Sequence, residues 1–104
     1  MRIRMADHDK LCLTRPKARK IFNAEKEKLA NNNNIVIDLT GLDVIAKSFL
    51  DEFIKLLARE DRLSSAIFEY DSRAGRENLE FVMKLCKIPS LRIRQVDRPE
   101  EVLH

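Results

Sequence analysis

The chain is poor in the residues from which most nucleotide-binding and catalytic motifs are built. It has two glycines, two cysteines, two histidines and no tryptophan among 104 residues. A phosphate-binding loop needs closely spaced glycines, because their backbone amides surround the anion. Gly41 and Gly75 belong to neither GxxxxGK nor GxGxxG. Nucleotide binding through these motifs is therefore excluded.

The few cysteines and histidines do not form a recognisable metal site or catalytic relay. Cys12 and Cys86 lie far apart, without a CxxC or CxxH companion, and each falls within an apolar pattern that predicts a buried reduced thiol. His8 and His104 lie near opposite ends of the sequence, so neither a zinc site nor a Ser-His-Asp relay is assembled. We therefore expect no enzyme activity, no catalytic residues, no metal and no cofactor.

Long apolar runs are also absent. No stretch of about 18 apolar residues could cross a bilayer, and the charged first residues lack the apolar core of a secretory signal. A hydrophobic content of 44% in 104 residues suits one compact domain, residues 1–104. We expect a soluble cytoplasmic domain that is a monomer or a weak homodimer.

Hydrophobic patterns divide the chain into alternating strands and helices. Short apolar runs predict strands at residues 11–13, 35–39, 66–70 and 91–96, and a loop or an edge strand before the first of them. Helical spacing predicts three helices, which begin near Pro16, Ser48 and Ser72. Asp71 or Ser72 is the cap of the third helix, and Asp97 and Pro99 begin a short fourth helix. Asparagines 31–34 end the first helix, and Pro89 ends the third.

This order predicts an α/β fold. Connections between parallel strands are almost always right-handed and place helices on a mostly parallel sheet. The β-branched run at 35–39 is typical of a strand covered on both faces. In the last strand Arg92 and Arg94 alternate with apolar residues, which indicates one solvated face near the sheet edge.

The segment at residues 41–52 is the strongest candidate for a functional site, because a buried strand leads there through a turn into a helix. Ser48 and Asp51 form S-x-x-D, the pattern of a capping box. Asp51 and Glu52 are expected in the first turn, where carboxylates interact favourably with the helix dipole. Phe49 has two roles open, as a core residue or, if exposed, as the aromatic anchor of an interface.

The same segment carries a resemblance to a known family. From the central strand through SFLDEF, and on through YDS and KLCKIPSLRIRQVDRPEEVL, the chain resembles the STAS domains of bacterial anti-sigma-factor antagonists. R-x-x-A at residues 15–18 with SFLDEF at 48–53 is similar to a bacterial STAS-like family of unassigned function with the signature S-F-x-D-E. The resemblance implies a single STAS-like domain with a mostly parallel sheet of four to five strands and flanking helices.

The resemblance also implies a regulatory function in signal transduction. In the antagonists, a partner ATP-binding kinase phosphorylates the serine at this helix start, which corresponds to Ser48, and the phosphorylation state decides which partner is bound. The chain is therefore expected to bind a protein, such as an ATP-binding histidine-kinase-like regulator or sensor. The expected contacts surround the helix start: Asp43, Lys47, Ser48, Asp51, Glu52 and Lys55.

Two alternatives have other residues as their site. Nucleic-acid binding would use the basic first helix and the arginines of the last strand, namely Arg15, Lys17, Arg19, Lys20, Arg92, Arg94 and Arg98. The preferred interpretation of the basic segment is the solvated face of an amphipathic helix, and one tyrosine with no tryptophan leaves few residues to stack on bases. A small enzyme would depend on Asp38, at the end of the central strand, and no nucleophile and base accompany it.

Overall fold

The computed structural model describes residues 1–88 and 91–97 and has an α/β fold. Its strands are β1 (Arg2–Arg4), β2 (Leu11–Cys12), β3 (Ile35–Asp38), β4 (Val44–Ile45), β5 (Ala66–Tyr70) and β6 (Arg92–Gln95). Its helices are α1 (Met5–His8), α2 (Arg15–Ala30), α3 (Lys47–Arg59) and α4 (Arg73–Leu85), with a 3-10 turn at Leu63–Ser65. None of the described helices is long and apolar enough to cross a membrane.

The main sheet contains four parallel strands in the order β1-β3-β5-β6, and β2 and β4 form a separate two-stranded parallel ladder. The strands of the main sheet therefore follow one another in space as they do along the chain. This arrangement confirms the predicted α/β class with a mostly parallel sheet.

The three long helices lie on one face of the main sheet. Right-handed crossovers that always step in the same direction place successive helices on the same side. Burial agrees with this geometry: Ile3, Ile37 and Phe68, which are in register, are buried, whereas the neighbouring Val36 and Ile67 are only half-buried. The expectation that both faces of the central strand are covered is therefore wrong for the described part of the chain.

The core lies between the main sheet and the helices. Phe49 and Phe53 stack with ring centroids 6.2 Å apart, and Phe22 meets Phe53 edge to face at 5.7 Å. Aromatic pairs in these geometries are favourable beyond the area they bury. Phe49 is fully buried, so it is a core residue and the alternative of an exposed anchor is wrong.

Most predicted elements are confirmed, and the differences concern short strands. The hydroxyls of Thr14 and Ser72 cap α2 and α4, accepting from the amides of Lys17 and Gly75. The residues before Leu11 contain an edge strand, β1, whereas residues 11–12 belong to the small ladder with β4, which was not predicted. Pro89 and the short helix expected after Asp97 lie outside the described residues.

Ile37→Asp is expected to prevent folding. Ile37 is fully buried in the second strand of the main sheet, and an unpaired buried charge costs several kcal/mol, against a typical total stability of about 5–15 kcal/mol. Circular dichroism during thermal unfolding should show no cooperative transition. Val36→Asp places the same charge one residue away, on the half-buried face, and this variant should retain a cooperative transition. Loss of the transition in both variants would contradict the conclusion that only one face of the sheet is packed against the core.

Candidate functional site

The turn after β3 brings the chain back toward the start of α3. Gly41 has φ +73°, a conformation that residues with a side chain rarely adopt, and its amide donates to Asp71 Oδ2 at 3.0 Å. The chain then forms β4, whose Val44 is in register with Leu11 of β2. The small ladder thus positions the start of α3 against the residues that precede α2.

Ser48 does not cap α3. The N-cap is Ala46, without a side-chain cap, and Ser48 is the second residue of the helix. Its Oγ donates to the carbonyl oxygen of Leu13 at 3.0 Å. The predicted capping box with Asp51 is therefore wrong, because the helix begins before the serine and the hydroxyl bonds to a neighbouring segment.

Asp51 is a buried acceptor shared by three helical segments. Its side chain is 3% exposed and accepts from Arg15 Nη1 at 2.5 Å and Lys55 Nζ at 2.9 Å. Cys86, at the C-cap of α4, donates its thiol to the same carboxylate at 3.1 Å. Burial alone would raise the pKa of Asp51, but the hydrogen bonds from Arg15, Lys55 and Cys86 outweigh it and lower the pKa to about 2.

Glu52 is held by the same helix pair. It accepts from Arg19 Nη1 at 3.2 Å and lies 3.5 Å from Arg15 Nη1, and its side chain is 12% exposed. Neither Asp51 nor Glu52 lies in the first turn of α3. The expected interaction of these carboxylates with the start of the helix dipole is therefore wrong, and arginines of α2 compensate their charge instead.

The structure thus joins residues that belonged to two separate hypotheses. Arg15 and Arg19, predicted contacts of nucleic acid, pair with Asp51 and Glu52, predicted contacts of a protein partner. The contact roles themselves remain predictions, but these four side chains already have partners within the chain. We therefore regard them first as a network that holds α2 against α3.

The other predicted contacts are dispersed. Two of the basic residues form ion pairs: Lys17 with Asp9 at 2.9 Å, and Arg94 with Glu69. Arg92 donates a hydrogen bond to the carbonyl of Ser64, and Lys20 is exposed. Arg98 lies outside the described residues. Near the helix start, Asp43 and Lys47 are exposed, Ser48 is half-buried, and Lys55 is half-exposed beside Asp51.

Exposed apolar side chains surround the start of α3, and the sequence analysis did not identify them. Leu11, Leu13, Val44 and Phe81 are between 42% and 47% exposed. They are neighbours: Leu11 is in register with Val44, the Leu13 carbonyl bonds Ser48, and Lys47 Nζ lies 4.7 Å above the Phe81 ring. Phe81 lies off the buried stripe of α4, and an apolar residue off its stripe is the signal that could have found this surface.

Other chemically reactive groups are held in unreactive states. Burial, with a smaller effect of the Asp9 charge, raises the pKa of the Cys12 thiol to about 11. Burial and the Asp51 carboxylate also raise the pKa of Cys86. Both thiols are therefore protonated at neutral pH, and a protonated thiol is a poor nucleophile. Among the residues that the structure describes, no cluster of histidine, cysteine and carboxylate side chains could hold a metal ion.

Both carboxylate oxygens of Asp38, the residue on which a catalytic role would depend, already accept hydrogen bonds. It accepts from the amide and hydroxyl of Thr40 at 2.9 and 2.6 Å and from Arg2 at 3.0 Å. Burial would raise its pKa, but these hydrogen bonds and the Arg2 charge lower it. The side chain is 7% exposed, so the hypothesis of an enzyme gains no support from it.

Comparison with known proteins identifies one family. A family model described as a STAS-like domain of unknown function (DUF4325) matches residues 17–68. The matched span runs from within α2 to β5 and includes the start of α3 and Val44, whereas Leu11, Leu13 and Phe81 lie outside it. No match was found among curated proteins or solved structures.

Asp51→Asn is expected to destabilise the fold in a manner that depends on pH. The folded-state pKa of about 2 lies below the ordinary value of 3.8, so the charged network stabilises the protein above pH 4 and this contribution is lost as the pH falls through about 2. The variant should lose roughly 2 kcal/mol of unfolding free energy near pH 6, and the difference should shrink toward pH 2. Urea unfolding at several pH values measures it.

The matched control for this prediction is Asp43→Asn. Asp43 is exposed, so the same chemical change should alter the unfolding free energy little at any of these pH values. A constant difference between wild type and Asp51→Asn from pH 6 to pH 2 would contradict the role assigned to the ionised carboxylate.

Proposed function

This chain belongs to a family of STAS-like domains of unknown function, and from this membership we propose that it is a non-catalytic regulatory domain that binds a protein partner. The partner surface that we propose surrounds the start of α3. We call it the docking surface and define it by its exposed members: Leu11, Leu13, Asp43, Val44, Lys47 and Phe81.

The observation that carries the proposal is the clustering of exposed apolar side chains in a strongly charged protein. Charged residues make up 36% of the chain, yet three elements, β2, β4 and α4, contribute large apolar side chains to one place. Asn78 Nδ2 donates to the Ile45 carbonyl at 2.7 Å, which ties α4 to β4. Contiguous exposed apolar residues with charged neighbours are typical of protein interaction sites.

The network around Asp51 changes which acidic residues belong to this surface. Asp51 is buried and Glu52 is mostly covered by arginines of α2, so neither is included. Asp43 and Lys47 remain as exposed charges of opposite sign beside the apolar side chains. Together they would orient a partner, because charges at the rim of an interface contribute to specificity and association rate.

Ser48 links the docking surface to regulation. Its hydroxyl donates to the carbonyl of Leu13, and Leu13 belongs to the docking surface. A phosphoryl group would add nearly two negative charges and would repel that carbonyl, which would displace Leu13. The STAS-like fold supports an ATP-binding histidine-kinase-like regulator or sensor as the partner, in line with the anti-sigma-factor antagonists that the chain resembles.

Nucleic-acid binding has less support. Four of the described basic residues expected to contact phosphates already pair with carboxylates: Arg15, Lys17, Arg19 and Arg94. An ion pair with a carboxylate reduces the gain from a phosphate contact, since the first pair must be broken. The apolar side chains of the docking surface, by contrast, form no ion pair that a partner would have to break.

Val44→Asp should abolish partner binding without unfolding the chain. Affinity purification of the tagged protein from its native cell, followed by quantitative mass spectrometry, should show the partner reduced at least about tenfold. The thermal midpoint should stay within a few degrees, because Val44 is exposed. Ala24→Asp, an exposed site on α2, is the matched control and should retain the partner. Copurification of nucleic acid in place of protein would contradict the proposal.

Ser48→Asp is expected to change the partner bound or to prevent binding, whereas Ser48→Ala should bind as wild type does. The aspartate imitates part of the phosphoryl charge beside the Leu13 carbonyl, and alanine only removes one hydrogen bond. The same purification, with analysis of the modification state of Ser48, measures both effects. Identical partners and amounts in all three proteins would show that this position does not regulate the docking surface.

A further inference from the structure

A second surface lies on the opposite side of the main sheet from the helices. Residues paired in register share a face of a sheet, and side chains alternate between faces along each strand. We call this surface the open face and define it by two rows across the four strands: Arg2, Val36, Ile67 and Arg92, then Arg4, Asp38, Glu69 and Arg94. None of the three long helices covers it.

Carboxylates in the middle of the open face are buried by arginine side chains. Arg2 Nη1 lies 3.0 Å from Asp38 Oδ2 and 2.5 Å from Glu69 Oε1. Arg94 donates to Glu69 through Nε and Nη2. The two carboxylate side chains are 7% and 5% exposed, whereas those of Arg2 and Arg94 are 50% and 53% exposed. The arginines thus cover the acids and themselves remain accessible.

The open face carries more positive than negative charge. Four arginines accompany two carboxylates in its two rows. Arg4 also pairs with Asp7, and Arg92 bonds the carbonyl of Ser64 with no carboxylate partner among the described residues. A guanidinium has five N–H donors, so Arg2, Arg92 and Arg94 each retain donors that these contacts do not use.

The arginines form two columns, one on each edge strand of the main sheet. Strands β1 and β6 are three strand spacings apart, which is roughly 14 Å, and between them Val36 and Ile67 are half-buried apolar residues. The guanidinium groups of Arg2 and Arg94 reach inward from these edges to Glu69, so they lie over the second row. An α-helix is about 10–12 Å in diameter, and on this face it would pack on Val36 and Ile67 in the first row, beside these guanidinium groups. Helices also cover both faces of most parallel sheets, and none of the three long helices that the structure describes covers the open face.

We propose that the open face binds an amphipathic helix of a partner protein, with acidic residues on both sides of a narrow apolar stripe. The stripe packs on Val36 and Ile67, and the acidic residues accept hydrogen bonds from Arg92 and from the N–H donors that Arg2 and Arg94 do not use within the chain. This inference does not depend on the proposed function, because the docking surface lies elsewhere. Nucleic acid fits less well, since the two rows contain no aromatic residue for stacking on bases.

The first experiment titrates the ¹⁵N-labelled chain with a synthetic helical peptide of about 18 residues, with leucine along one stripe and glutamate on both sides. Saturable shifts should appear at amides of the four main strands. A peptide with lysine in place of glutamate should bind at least about tenfold more weakly. Equal binding of the two peptides, shifts confined to the docking surface, or no saturable shifts would overturn the proposal.

Charge reversal tests whether the edge arginines recognise the acidic residues. Arg92→Glu should lower the affinity for the glutamate peptide at least about tenfold. The substitution removes only one hydrogen bond to a backbone carbonyl, so the fold should persist. Arg73→Glu, at a fully solvated position on α4, is the matched control and should bind as wild type does. Equal effects of the two variants would overturn the assignment of the columns.

The natural occupant can be trapped in the native cell with a photoreactive benzoylphenylalanine at Ile67, and separately at Arg92 in case the first variant does not fold. The adduct should contain an acidic amphipathic segment of another protein and should be absent when the photoreactive residue replaces Ala74 on α4. An adduct to residues 98–104 of the chain itself, to a second copy, to nucleic acid or to a segment without this pattern would overturn the proposal, as would no adduct.

Discussion

The handedness of the strand connections determines which parts of this molecule are core and which are surface. Because the main sheet takes its strands in chain order, right-handed crossovers place α2, α3 and α4 together on one side. One face of the sheet is then closed by hydrophobic packing around Ile37 and Phe68. Among the described residues, the other face has no such cover, and ion pairs link its strands. The same constraint forces the helices to pack against one another.

The buried carboxylate of Asp51 is a response to that packing. It lies among apolar residues of α3 and receives donors from α2, from α3 itself and from the end of α4. Replacement of such a network by apolar residues is often neutral for stability, but removal of one member leaves charges unpaired. In this domain the network joins three helical segments at one carboxylate. It also explains why the acidic residues of SFLDEF are directed inward.

Local patterns in the sequence predicted the long elements well. β5 has the predicted bounds, 66–70, because its apolar run stands between clear turn residues. The position of Phe49 on the apolar stripe of α3 correctly favoured the core. Contacts between distant residues were not predictable in this way: Arg15 and Asp51 are 36 positions apart, and Arg2 and Glu69 are 67 apart. β4 was missed because two residues are too few to show a period, and the role of Ser48 depended on where α3 begins.

The agreement between strand order and chain order also affects how the domain is made. During synthesis each new strand of the main sheet meets a neighbour that has already emerged, so no strand must wait for a distant segment before it can pair. Each crossover joins strands that are neighbours both along the chain and in the main sheet, and contacts between nearby segments favour rapid folding. A nascent chain of this architecture therefore presents to the cell at each stage a single growing edge, rather than several unpaired strands at once.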